Sequence, residues 1–346
     1  MDKQPISCSG ALGSVHAATV AAMDGGELMA AWFAGTHEGA PDVAIYTALW
    51  RDGAWSAPML ALRVPEIPCW NPVLFRHSDG SLWLYLKAAP TIPAWTGLLM
   101  RWQPEHGHWS PPEALPAGLQ GPAKNKPVEL HDGTILCGAS RETWRSWACW
   151  VERSTDAGAT WTLHGPITAP ATKLPPTPND QEPISATWDP AAGTLQLPNA
   201  HAGVIQPTLW ESAPNQVVML MRATQRVGYV CRSVSHDGGR SWSPAEATEV
   251  PCPNSGLDAV RLSDGRVVLA CNPVHEGRTP LALMVSEDDG VTWRQSRLLE
   301  SDGQGSPPGE YSYPSIIQAP DGRIHVVYTW RRERIEHVAL EPTELA

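Results

Sequence analysis

Apolar residues follow one another without a polar break in six short runs, and a tight turn leads each run. The runs follow Asp-Gly turns at residues 23–33 (MDGGELMAAWF), 78–86 (SDGSLWLYL), 131–139 (HDGTILCGA), 263–271 (SDGRVVLAC) and 320–328 (PDGRIHVVY). A sixth, degenerate copy at 213–221 (APNQVVMLM) carries Asn215 in its turn. Asp-Gly between apolar runs predicts a β-hairpin, and continuous rather than alternating apolarity predicts strands covered on both faces. The turn positions 24, 79, 132, 215, 264 and 321 are spaced by 55, 53, 83, 49 and 57 residues. The long interval holds a Pro-rich insertion near 164–200.

A second motif interleaves with the first. STDAGATW (154–161), SHDGGRSW (235–242) and SEDDGVTW (286–293) all fit S-x-D-x-G-x-[ST]-W, and degenerate forms end at Trp55 and Trp109. Asp and Gly supply a turn, and the Trp that follows anchors the next strand. Each unit of roughly 50 residues then holds two hairpins, or four strands, which is the size of a propeller blade. The expected fold is all-β, a six-bladed β-propeller over 1–346 in a single domain, with a β-solenoid of shorter repeats as the rival.

Composition narrows the partners. The chain has 346 residues, 34 Pro and 29 Gly but two Phe, in keeping with many turns and short strands. A formal charge of −11 argues against nucleic acid or an anionic membrane as a partner. The 12 His show neither H-x-x-x-H nor HExxH spacing, and the seven Cys no C-x-x-C, so no metal or other cofactor is expected. Cys137 and Cys271 sit in apolar runs and read as buried thiols. No secretory signal and no span long enough for a bilayer is visible, which points to the cytoplasm.

Six blades with these Trp-ending turns resemble the sialidase (neuraminidase) superfamily, where the turns are called Asp boxes. The resemblance covers nearly the whole chain. It implies that the boxes lie between the third and fourth strands of a blade, away from the active site. The first strands would line the channel and the ends of the second strands would reach its rim. The first-strand candidates are His16, Asn71, Lys126, Gln206, Ser255, Asp258 and Tyr313. Four segments share a polar residue before proline: Asn71-Pro72, Lys126-Pro127, Gln206-Pro207 and Tyr313-Pro314. The second-strand ends supply Lys87, Arg141, Arg222, Asn272 and Arg331. Several Lys and Arg facing one channel in an acidic protein suggest an anionic ligand, because Arg grips carboxylate bidentately. The alternative is a structural network with Glu142, Glu182 and other acids.

The resemblance also implies roles. YPSII selects Tyr313 as nucleophile, with Tyr311 behind it. HEGAPDVAIY selects Asp42 as acid/base, with Glu38 behind it. VVMLMR and EGRTPLALMVSEDDG select Arg222 and Arg278 as carboxylate clamps. Two features of the family are missing. His16 stands where the first arginine is expected, and Gln206 where a glutamate would activate the tyrosine. A phenol titrates near 10 and needs a base at neutral pH. Asp180 or Glu182 would have to serve, or the chemistry differs. Three readings follow: a sialidase-like retaining glycosidase on an acidic glycan, a lyase or hydrolase of uronic-acid glycans using His16 with Tyr313, and a glycan-binding propeller without turnover.

Overall fold

The structure, a computed structural model, describes residues 1–6, 12–143, 146–169, 187–196, 202–302 and 309–345. Asp180, Glu182 and most of the Pro-rich insertion lie outside the described residues. The expected propeller is what forms: six antiparallel sheets in chain order, each built as a meander. The first strands are Ser14–Ala22, Cys69–Arg76, Val128–Glu129, Val204–Ala213, Asp258–Arg261 and Tyr311–Gln318. The second strands are Leu28–Gly35, Leu82–Ala88, Ile135–Glu142, Gln216–Ala223, Val267–Cys271 and Ile324–Trp330. The outer strand of the sixth blade comes from the other end of the chain. Asp2–Pro5 pairs with Arg334–Leu340, with Gln4 opposite His337. A small hairpin, Thr187–Asp189 with Thr194–Gln196, falls within the expected insertion.

The continuous apolar runs are explained by where the core sits. It lies between blades, in clusters that each draw on two neighbours. Phe33 and Ile45 of the first blade pack with Leu74 and Leu84 of the second, and Trp32 packs with Val327 and Ile335 of the last. Both faces of a second strand are therefore buried, and alternation disappears. In the degenerate hairpin Asn215 adopts φ +63°, the left-handed conformation that Gly80, Gly133, Gly265 and Gly322 supply in the others.

The Asp boxes lie between third and fourth strands, as expected. In the first full copy Asp156 accepts from Thr160 N and from the Ser154 hydroxyl, both at 2.8 Å, and Trp161 Nε1 donates to Gly158 O at 3.0 Å. Asp237 and Asp288 repeat this pattern. Hydrogen bonds from Thr160 and Thr292 hold Asp156 and Asp288 down at about 2. The box glycine is required twice over. Gly158 has φ +83°, and a Cβ there would stand 2.9 Å from Trp83 of the preceding blade. In these three blades the box packs the blade against the one before it: Gly239 lies against Leu136 and Gly290 against Trp210.

Candidate active site at the channel mouth

Asn71, Gln206 and Tyr313 share an uncommon backbone. Each has positive φ (+30°, +52° and +53°) although each precedes a proline. Each sits at a register shift in its first strand, between Trp70 and Val73, Ile205 and Thr208, and Ser312 and Ser315. A bulge of this kind re-aims a side chain, here toward the channel. The first blade has the same shift, between His16 and Thr19, but its left-handed residue is Ala17 at φ +55°. His16 thus stands one residue before the position equivalent to Tyr313, which corrects the alignment expected from sequence.

Tyr313 is the centre of the cluster. Its hydroxyl accepts from Arg222 Nη1 at 2.6 Å, and the same nitrogen donates to Gln206 Oε1 at 3.0 Å. Arg222 Nε donates to Asn254 Oδ1 at 2.9 Å. The Arg278 guanidinium lies 5.5 Å from the Tyr313 ring centre and is held by Glu310 at 2.6 Å. The His16 ring centre is 4.2 Å from that of Tyr313. Gln206, Arg222, Arg278, His16 and Tyr313, from the strands of three blades and a loop of a fourth, are therefore brought together.

Three members were not expected. Arg332 donates through Nε to both oxygens of Glu310 at 3.1 Å and through Nη1 to Glu38 at 2.7 Å. Its Nη2 is 3.4 Å from His16 Nε2. A guanidinium only donates, so Nε2 accepts and His16 carries its proton on Nδ1, 2.9 Å from Thr329 Oγ1. Lys124 lies 5.9 Å from the Tyr313 ring centre, and its ammonium is bound by Asn125 and by the carbonyls of Leu257 and Pro314. Burial pulls Lys124 down to about 7. Glu142 is the last residue of its second strand, and Arg222 the last but one of its own. Burial raises its proton affinity above the ordinary carboxylate value, Arg222 opposes the rise, and Glu38 adds to it. The doublet Arg331-Arg332 and the triplet Lys124-Asn125-Lys126 were the signals in the sequence. In each the neighbouring residue was chosen.

The electrostatics converge on His16. Burial lowers its proton affinity well below the usual imidazole value, and Arg332, Arg278, Arg222 and Lys124 lower it further. A neutral imidazole beside four basic side chains gives the cluster a positive bias, offset in part by Glu310 and Glu38 on Arg278 and Arg332.

Other candidates are turned to structural work. Lys126 points to Asp258, at 2.9 and 3.1 Å, and to Ala259 O. Lys87 is buried, with its ammonium bound by the carbonyls of Asn71, Pro122 and Ala123. Asn71 donates to Ala123 O and Asn272 to Pro280 O and Tyr311 O. Ser255 donates to Asn272. Arg141 is bound to Gly118 O. Arg331 pairs with the Tyr311 hydroxyl and lies 3.7 Å from Asp302. These side chains tie blades to one another because unpaired backbone carbonyls around a channel need donors. Asp42 is exposed. Its carboxylate accepts from Thr36 N and Oγ1 at 2.9 and 2.8 Å, and the Thr36 bonds hold it below the ordinary range. Glu38, four residues earlier on the same loop, reaches the cluster through Arg332. Among the described residues no group of three or more His, Cys, Asp or Glu could hold a metal.

Fold and cluster together describe an Asp-box propeller with a basic, tyrosine-centred cluster between its blades. The chain belongs to the BNR repeat-like domain family, whose model matches residues 26–326. It is 27% identical over 221 residues to a sialidase of Micromonospora viridifaciens, which is 51% of this chain and 33% of that protein. Among solved structures it resembles a Hadza microbial sialidase, with a TM-score of 0.73, 15% identity, and coverage of 96% of this chain and 66% of that one. A protein of unknown function from Dyadobacter fermentans matches over 98% of this chain and 99% of its own length, with a TM-score of 0.72 and 16% identity. The NanB sialidase of Streptococcus pneumoniae matches with a TM-score of 0.72 and 15% identity, over 99% of this chain and 71% of that one. The sialidase-like fold read from the sequence is thus shown.

Proposed function

We propose that the protein is a sialidase-type glycoside hydrolase acting on a terminal carboxylated sugar. The observation that carries this is the convergence of Arg222 and Arg278 on Tyr313, with Arg332 beside them against His16 and Glu310. Arg332 supplies from the last blade the third guanidinium that His16 does not supply from the first. The Tyr313 oxygen attacks the anomeric carbon, and the bond to the leaving oxygen breaks. A tyrosine suits a sugar whose anomeric carbon bears a carboxylate, since a carboxylate nucleophile would meet like charge. Glu142, with its raised proton affinity, takes the phenolic proton in place of the absent glutamate at 206. Glu38 takes the acid role first assigned to Asp42. An incoming carboxylate competes with Glu38 for Arg332 and releases Glu38 to face the leaving oxygen. Water then cleaves the glycosyl–tyrosine bond, with Glu38 as base.

The lyase reading loses ground on geometry. Both ring nitrogens of His16 are engaged, by Arg332 and Thr329, and neither is free to abstract a proton.

The charge requirement gives the direct test. Arg222→Ala or Arg278→Ala should lower kcat/KM for an aryl sialoside or aryl uronide at least tenfold, about 1.4 kcal/mol. The methyl ester should suffer a similar loss with the native enzyme and little further loss in either variant. Native turnover of ester and acid at equal rates would refute the anionic substrate, and an unsaturated product absorbing in the ultraviolet would favour the lyase.

The pH profile tests Glu142. A base works only when deprotonated, so activity should fall as pH drops through its raised pKa, at a higher pH than an ordinary carboxylate allows. Glu142→Gln should slow turnover by about 10²-fold and remove that limb. A limb that persists unchanged in the variant assigns it to another group.

A further inference from the structure

A cavity lies away from Tyr313, at the seam where the last blade meets the first. Its volume is about 520 Å³, within the roughly 300–1,000 Å³ of small-molecule sites. It opens between the hairpin turn after Tyr311–Gln318 and the turn after Ser14–Ala22. The lining residue Ala319 follows the end of the strand that carries Tyr313 and is six residues from it, up to about 20 Å at roughly 3.3 Å per residue.

A chain of hydrogen bonds fixes what the cavity presents. Trp55 Nε1 donates to His337 Nδ1 at 3.2 Å. An indole nitrogen only donates, so His337 accepts on Nδ1 and carries its proton on Nε2. That proton is given to His325 Nδ1 at 3.0 Å. The proton of His325 must then be on Nε2, which has no partner among the described residues, while the side chain is 6% exposed and lines the cavity. Burial lowers both imidazoles, to about 4 for His325 and about 3 for His337, so both are neutral. The structure thus aims one oriented N–H donor, nine-tenths buried, into an otherwise unused cavity.

The rest of the lining selects the ligand. Trp50, Leu28 and Ala22 form an apolar wall. Asp2, Glu27 and Asp321 line it with one cation, Arg323, which already pairs with Asp2 at 2.8 Å and with Glu341 at 3.1 Å, while Glu27 is held from outside the lining by Arg51. This balance disfavours an anion, and the N–H of His325 disfavours a cation. An apolar ring face, carboxylate acceptors and one fixed donor fit a neutral polyhydroxy ring. We propose that this seam cavity is a second binding site, for a neutral sugar unit, seated against Trp50 and hydrogen-bonded to His325 Nε2. Such a site would hold a neutral part of a glycan apart from the channel mouth.

Saturation-transfer NMR with lactose, maltose and cellobiose tests this on the full chain. At least one should contact the protein, and His325→Phe, which keeps the ring but removes the donor, should weaken it by at least about tenfold. Gln4→Trp, on the outer strand at the lining, should block the site without entering the core, and decides the matter if His325→Phe does not fold. Both variants should turn over a small aryl glycoside as the native protein does. The proposal is overturned if none of the three sugars binds, if binding survives Gln4→Trp, or if a methyl sialoside displaces the sugar competitively. Because binding is read directly, failure here is distinct from failure of the catalytic reading.

Discussion

Tyr313→Phe is expected to lower kcat/KM by about 10³-fold or more, the scale seen when a nucleophile is removed. The variant keeps the ring that packs on His16 and loses the hydroxyl 2.6 Å from Arg222. A hydrogen bond to a charged group contributes about 1.5–3 kcal/mol, so the fold should survive. The residue is held at φ +53° before Pro314, a conformation costing of order 1–3 kcal/mol that clusters at functional sites. Phe keeps the same backbone, so the strain is unchanged in the variant. Steady-state kinetics on an acidic aryl glycoside, with thermal denaturation as control, checks the expectation. A loss below about tenfold would remove Tyr313 from the chemistry.

Asp258→Ala should produce the largest loss of stability. Asp258 is fully buried and accepts from Lys126, from Thr208 Oγ1 at 2.7 Å, and from Ala259 N and Ile316 N at 2.9 Å. Those donors belong to the third, fourth, fifth and sixth blades, so one carboxylate fastens four of the six. Removing one partner of a buried ion pair costs about 3–5 kcal/mol, much of it from the charge left behind. The melting temperature should fall by roughly 5–10 °C. Lys126→Met added to Asp258→Ala should recover part of the loss, since the stranded ammonium is gone. Equal melting of native and Asp258→Ala protein would show that the network is dispensable.

Much of the site could be read along the chain, and the misses have physical causes. The Asp-Gly and Asp-box turns are local: their bonds join residues two to four apart, so six blades follow from spacing alone. Tyr313, Gln206 and Arg222 were legible because repeated positions in a propeller face one axis. His16 was placed one residue out because a bulge shifts register and leaves no mark in composition. Arg332 was passed over for Arg331 because both lie in a turn at positive φ (+51° and +56°), where strand alternation no longer predicts direction. Lys126 and Lys87 were assigned to a ligand on charge. Whether an ammonium meets a ligand or a ring of carbonyls depends on residues far away in sequence.

The sequence by itself determined the blade count, the hairpins, the Asp boxes and the sialidase resemblance, because each rests on contacts between near neighbours in the chain. Only the tertiary structure decided which basic residues surround Tyr313, that Glu38 rather than Asp42 reaches them, and that Asp258 and Lys126 fasten the blades. Those outcomes depend on which side chains from different blades compete for the same few ångströms of a closed channel, and closure brings residue 16 against residue 332.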